Sequence, residues 1–295
     1  MTLSIEVNQL EQRYGSFTAL HNISFKLEGG KIYGLLGRNG SGKTSLLSIL
    51  ASYCQQSGGE VAIDGEAPFE NARIMAQVCF IQESGHMPDT LSVRDVLKLS
   101  ASCWPNWDAK YAERLIGHYE LPIKKRISSL SRGMKSALGV TIGLASRAPV
   151  TIFDEAYLGM DAPSRYTFYD ELLNDYMETP RTFILSTHLI EEVGNLFEEV
   201  LILDKGRLIM HEETEMLRAR GSSITGSSES VDRVAEGLTV LGEQQLGKTK
   251  SITVFGDLTD AKRKQALAAG LELGPVSLQD LFVHLTKKGG MNNER

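Results

Sequence analysis

The sequence predicts an α/β fold: a mostly parallel sheet joined to an antiparallel β subdomain, a helical insertion, and a small α+β domain at the C-terminal end. Three observations carry this prediction. Short, continuous apolar runs alternate with helical patterns, the strand signal vanishes between residues 84 and 148, and the texture changes again after about residue 213. In chain order, Leu3–Leu10 alternates apolar and polar positions and Leu20–Leu27 does so more loosely, which reads as an opening antiparallel hairpin. Gly29-Gly30 then punctuates the chain. Lys31–Leu36 follows as a buried strand, leading through a glycine-rich turn into a helix over Lys43–Ala51. Further buried strands are expected at Gln77–Ile81, Val150–Phe153, Thr182–Ser186 and Val200–Leu203, with a helix over Ser164–Met177 among the elements between them.

The helical insertion, about residues 84–148, shows three patterns at Val93–Ser102, Ala109–Tyr119 and Gly133–Ser146. Ser92-Val-Arg-Asp95 has capping-box spacing before the first, and Pro105–Asp108 makes a turn before the second. Residues 1–212 thus form one domain, and 213–295 form a second with the order β-α-β-β-α-β, a helix over Leu278–Leu285 and a polar tail, Lys287–Arg295, expected to be disordered.

Composition narrows the function. The 295 residues are 42% hydrophobic and 23% charged, as in a soluble globular protein of about two domains. A formal net charge of −6 argues against nucleic acid as a partner, and the basic residues around Lys248 and Lys262–Lys264 are diluted by Asp257 and Asp260. Cys54, Cys79 and Cys103 form no CxxC pair and suggest no zinc site, so a reducing cytosol is the expected compartment. The N-terminus lacks the pattern of a signal peptide. The most apolar stretch, Ala137–Phe153, is broken by Ser146, Arg147 and Pro149, so no membrane span is expected.

Chemistry enters at Gly37-Arg-Asn-Gly-Ser-Gly-Lys-Thr44, which fits G-x-x-x-x-G-K-[ST] between a strand and a helix. Glycines let backbone N–H groups approach phosphate oxygens, and the following helix points its positive end at the same anion. The candidate nucleotide contacts are Gly37, Asn39, Gly40, Ser41, Gly42, Lys43, Thr44 and Ser45, with Lys43 on the β- and γ-phosphates and the Thr44 hydroxyl on Mg2+. Val150–Phe153 ends in two adjacent acids: Asp154 as a magnesium holder and Glu155 as the group that orients or deprotonates water. The core is therefore read as a P-loop NTPase.

Beyond these, the chain resembles the nucleotide-binding subunit of an ATP-binding cassette (ABC) transporter over residues 1–212. The resemblance rests on Gln82 at a strand end, Leu130-Ser-Arg-Gly-Met134 as a signature segment, Asp154-Glu155, Gly159-Met-Asp161, His188, and Arg13-Tyr14-Gly15. It implies ATP and Mg2+ as cofactors and a second such subunit, in a homodimer or heterodimer. Each ATP would lie between the phosphate loop of one subunit and Ser131, Gly133 and Asp161 of the other. It further implies that Gln82 senses magnesium and water, that His188 contacts the γ-phosphate, and that Tyr14 stacks on adenine, although nearby Phe17 is an alternative. A separate integral membrane permease, a location on the cytoplasmic face of the membrane and a bacterial exporter-type subgroup complete the expectation. Trp104 and Trp107 are read as packing. Arg132 and Met134 stand where the family has Gly and Gln, and Ala156-Tyr157 where it has Pro-Thr, which predicts slow hydrolysis. Two alternatives stand beside transport: a non-transport ABC ATPase, and a nucleotide-dependent sensing module.

Overall fold

The structure, a computed structural model, describes residues 2–83 and 87–287. The chain divides into two compact units, Met1–His188 with Leu203–Leu208, and Leu189–Ile202 with Ile209–Arg295. In the first unit, β1 (Ile5–Tyr14) and β2 (Phe17–Leu27) form the expected hairpin, with Tyr14 paired to Phe17 across its turn. β3 (Ile32–Gly37) leads into α1 (Lys43–Leu50). A strand not expected from the sequence, β4 (Gly58–Ile63), pairs antiparallel with β1 and completes a three-stranded sheet in the order β2-β1-β4. The short α2 (Ala72–Met75) precedes β5 (Val78–Gln82).

The insertion follows as α3 (Val93–Cys103), α4 (Ala109–His118) and α5 (Arg132–Ala145). Each helix starts at a side-chain cap that satisfies an orphan N–H: Ser92 with Asp95 in a reciprocal box, Asp108 accepting from Tyr111 N, and Ser131 accepting from Met134 N. β6 (Val150–Asp154), α6 (Ala162–Glu178) and β7 (Thr182–Thr187) complete the unit. Strands β5-β6-β7-β3 lie side by side and parallel, and β3, β6 and β7 are buried along their whole length, as continuous apolar runs require.

Directed polar contacts tie the insertion to this sheet. Trp104 Nε1 donates to the Val78 carbonyl at 3.1 Å, so this tryptophan both packs and anchors. Arg114 grips Glu171 of α6 with two bonds of 2.6 and 2.7 Å, and Tyr111 donates to the same carboxylate. Deeper, Arg181 donates to Asp175 at 2.7 Å and to the carbonyls of Leu144 and Ala148 at 2.9 Å each, closing the C-terminal end of α5. Burial pushes its guanidinium down to about 10.

The second unit contains α7 (Ile190–Val193), most of β8 (Glu199–Asp204) and β9 (Arg207–Glu213), and α8 (Thr214–Ala219); β9 and α8 were not expected from the sequence. Next come β10 (Gly221–Ser227), α9 (Ser228–Ala235), β11 (Val240–Leu246), β12 (Thr249–Phe255), α10 (Asp260–Ala268), β13 (Glu272–Pro275) and α11 (Leu278–Lys287). The β-α-β-β-α-β order forms an antiparallel sheet β11-β12-β10-β13, the split β-α-β arrangement. Ile224, Ile252 and Val254 of the sheet and Val231, Val234 and Ala266 of the helices form its core. Lys287 ends α11, and the rest of the tail expected to be disordered lies outside the described residues. Among the described residues, no helix is long and apolar enough to cross a membrane.

Candidate functional site

The loop between β3 and α1 turns on two glycines in the left-handed region, Gly40 at φ +78° and Gly42 at φ +103°, where a side chain would be strained. The Ser41 N–H donates to the Arg38 carbonyl at 3.0 Å, and Leu46 N to Gly42 O at 3.0 Å as α1 begins. Lys43 opens the helix and is buried. Its Nζ arches back to the Gly37 carbonyl at 2.7 Å and lies 3.7 Å from Glu155 Oε1. A cavity of ≈ 380 Å³ is lined by Asn39, Gly40, Ser41, Gly42, Lys43, Thr44 and Ser45, with Glu155 and the aromatics Tyr14 and Phe17. Both rings are exposed, at 49% and 63%, and both flank this cavity.

Asp154 ends β6 and is buried at 5% exposure. Its Oδ2 accepts the Thr44 hydroxyl at 2.8 Å, while Oδ1 is buried without a hydrogen-bond partner. Burial pushes the carboxyl above its ordinary range, against the opposing pull of the nearby Ser186 hydroxyl, the Thr44 hydroxyl and Lys43. An orphaned carboxylate oxygen beside a hydroxyl is a hard-oxygen donor pair that fits Mg2+. Among the described residues, no group of three His, Cys, Asp or Glu could hold a metal unaided, so phosphate oxygens would complete the coordination. The next residue, Glu155, adopts φ +52°, unusual for a residue other than glycine. This turn brings Glu155 Oε1 to 3.5 Å from His188 Nδ1 at the end of β7, while its N–H donates to the Ser186 carbonyl at 3.2 Å.

Other expected site residues gather elsewhere. Gln82 pairs in register with Asp154 through β5 and β6, yet it lines a separate, largely apolar cavity of ≈ 300 Å³ with Phe80, Met87 and Trp104. Ser131, Gly133 and Asp161 do not line the phosphate-loop cavity. They form a second cluster held by close backbone packing, for a Cβ on Gly133 would come within 2.9 Å of the Gly159 carbonyl. Asp161 caps α6 by accepting from Ser164 N at 3.0 Å, and hydrogen bonds from Ser164 hold its carboxyl below the usual range. The departure at Tyr157 has a packing reason: the ring is buried against Phe168 and Tyr169, with centroids 5.2 and 5.5 Å away. Sequence reasoning missed the partner of Arg132, which is Glu83. The two residues stand 49 positions apart, and no local pattern connects them.

A glycine-rich phosphate loop, a buried acid bonded to its threonine and a parallel sheet define a P-loop nucleotide-binding protein. The family model described as ABC transporter matches residues 20–158. The chain is 26% identical over 204 residues to the ABC transporter ATP-binding protein YtrB of Bacillus subtilis, covering 69% of this chain and 70% of that one. It is 25% identical over 300 residues to the Nod factor export ATP-binding protein I of Ralstonia nicotianae, covering 96% and 93%. Its fold is shared with the dimeric, post-hydrolysis ATP-binding cassette MJ0796 at a TM-score of 0.64 and 19% identity, over 71% of this chain and 98% of that one. Residues 20–158 thus match the ABC transporter family model, and the chain is similar to ABC transporter ATP-binding proteins.

Proposed function

We propose that this chain is the ATP-hydrolysing subunit of a bacterial exporter-type ABC transporter, pairing with a second such subunit around two Mg-ATP and driving a separate membrane permease from the cytoplasmic face. The observation that carries it is the division of the site into two clusters. Lys43, Thr44, Asp154, Glu155 and His188 converge around the phosphate loop, whereas Ser131, Gly133 and Asp161 lie outside its cavity. A protomer so built presents one half of each of two composite sites. The export-protein names among the relatives support the transport reading.

In this mechanism the chain's own residues position and neutralise. The loop N–H groups and Lys43 hold phosphate oxygens, with the α1 dipole adding positive potential. Magnesium, when bound by Asp154 and Thr44, supplies further charge neutralisation at the phosphates. Glu155 takes the proton of the attacking water, and His188, 3.5 Å away, fixes the Glu155 carboxylate together with Lys43, both approaching Oε1. Gln82 reports the state of the magnesium end through its register with Asp154. Tyr14 and Phe17 hold the base without reading its edge. The partner's nucleotide meets Ser131 and the Gly133 N–H at the start of α5, a second helix N-terminus aimed at an anion.

Two measurements test this reading: recovery of the tagged chain from detergent-solubilised membranes of its own cell, and ATP turnover. A near-stoichiometric polytopic partner, and a Lys43→Ala protein without turnover, are the expected results. Recovery with ribosomes, with DNA or with no partner would refute the transport reading, and normal hydrolysis by Lys43→Ala would refute the site.

A further inference from the structure

Three segments meet where α5 begins, and a charge pair joins them. The Arg132 guanidinium pairs with the Glu83 carboxylate. Glu83 directly follows Gln82, and its N–H donates to the Asp154 carbonyl at 3.0 Å, so it is fastened to the strand end that carries the magnesium-holding acid. On its other side Arg132 lies against the turn leading to Asp161: a Cβ on Gly159 would come within 2.9 Å of Arg132 Cγ and 3.0 Å of its carbonyl oxygen. A cation in the first turn of a helix is opposed by the dipole, so an arginine here needs a compensating acid, which Glu83 provides. Neither side chain lines the phosphate-loop cavity. The neighbouring Lys135 pairs separately with Asp89 at 3.4 Å.

We propose that the Arg132–Glu83 ion pair is a positioning bridge that ties the placement of Ser131 and Gly133, which serve the partner's nucleotide, to the Gln82–Asp154 end of the protomer's own site. This rests on the composite-site reading above. A glycine at position 132 could make no such link, so the bridge is a device of this chain's arginine. Both residues act through others: Glu83 through Asp154, and Arg132 through the α5 start.

The test is a double-mutant cycle on the full chain with Arg132→Gln, Glu83→Gln and the pair together. Turnover at saturating Mg-ATP and equilibrium ATP binding to the dilute protomer are read for each. An exposed pair of this kind predicts that each single variant loses about threefold in kcat while ATP affinity holds, and that the double variant is no worse than either single. The gap from the parent closes at about 1 M salt, where the Debye length shrinks to roughly 3 Å. The bridge is overturned if the singles match the parent or if the double variant multiplies both losses. It is also overturned if only Arg132→Gln is slow, which would make the arginine a direct phosphate contact. A parent that hydrolyses ATP yet never dimerises would overturn the composite-site reading itself, and the bridge with it.

Discussion

Replacing Asp154 by asparagine separates the stability of the fold from the chemistry it carries. The carboxylate is 5% exposed, with one oxygen bonded to Thr44 at 2.8 Å and the other without a hydrogen-bond partner. Burial raises its folded-state pKa above the ordinary 3.8, so the folded protein holds the proton more tightly than the unfolded chain does. Below pH 3.8 the group therefore costs nothing; the penalty grows as pH rises through the raised folded value and is complete above it. Asparagine keeps an acceptor for Thr44 and carries no charge. Without nucleotide at pH 7, the Asp154→Asn variant should be more stable by about 1 kcal/mol, a rise in Tm of about 2–4 °C for a chain of this size. Differential scanning fluorimetry against pH should show the gap closing as pH falls toward 4, while Mg-dependent turnover is lost throughout. A lower Tm than the parent at pH 7 would refute the reasoning, because Asp154 would then be holding the fold together.

Other substitutions have equally definite outcomes. Gly133→Ala drives a methyl against the Gly159 carbonyl at 2.9 Å, and the crowding should cost about 1–3 kcal/mol while leaving ATP binding to the protomer intact, read by denaturant melts and nucleotide titration. Trp104→Phe removes the donor to the Val78 carbonyl and should destabilise by about 1 kcal/mol in the same melts. Removing both rings that flank the cavity, with Tyr14→Ala and Phe17→Ala together, should weaken ATP binding more than either alone, by about tenfold or more from lost base stacking; equal binding by single and double variants would contradict a paired role.

Much of the first unit was legible because its signals are local. Wholly buried strands such as Ile32–Gly37 and Val150–Asp154 appear as apolar runs, and the phosphate loop carries its glycines within eight residues. What escaped lacks that local signal. β4 begins Gly58-Gly59-Glu60, with Gly59 at φ +77°, and offers only a three-residue apolar end to the eye. β9, Arg207–Glu213, has no fully buried position, so its pattern resembles a loop. In the candidate site, the residue types at 43, 44, 154 and 155 were readable from motif chemistry. The turn of Glu155 toward His188 and the Arg132–Glu83 pair depend on pairing across the fold. Tyr157 read as a departure, and only its aromatic neighbours, Phe168 and Tyr169, explain it.

The central claim, that one protomer carries halves of two nucleotide sites, is tested most directly by sedimentation of the Glu155→Gln protein with Mg-ATP. Slowed hydrolysis should trap a dimer holding two ATP, which ADP does not support and which Ser131→Ala or Lys43→Ala weakens. A protein that binds ATP but sediments as a monomer at every concentration would contradict the account.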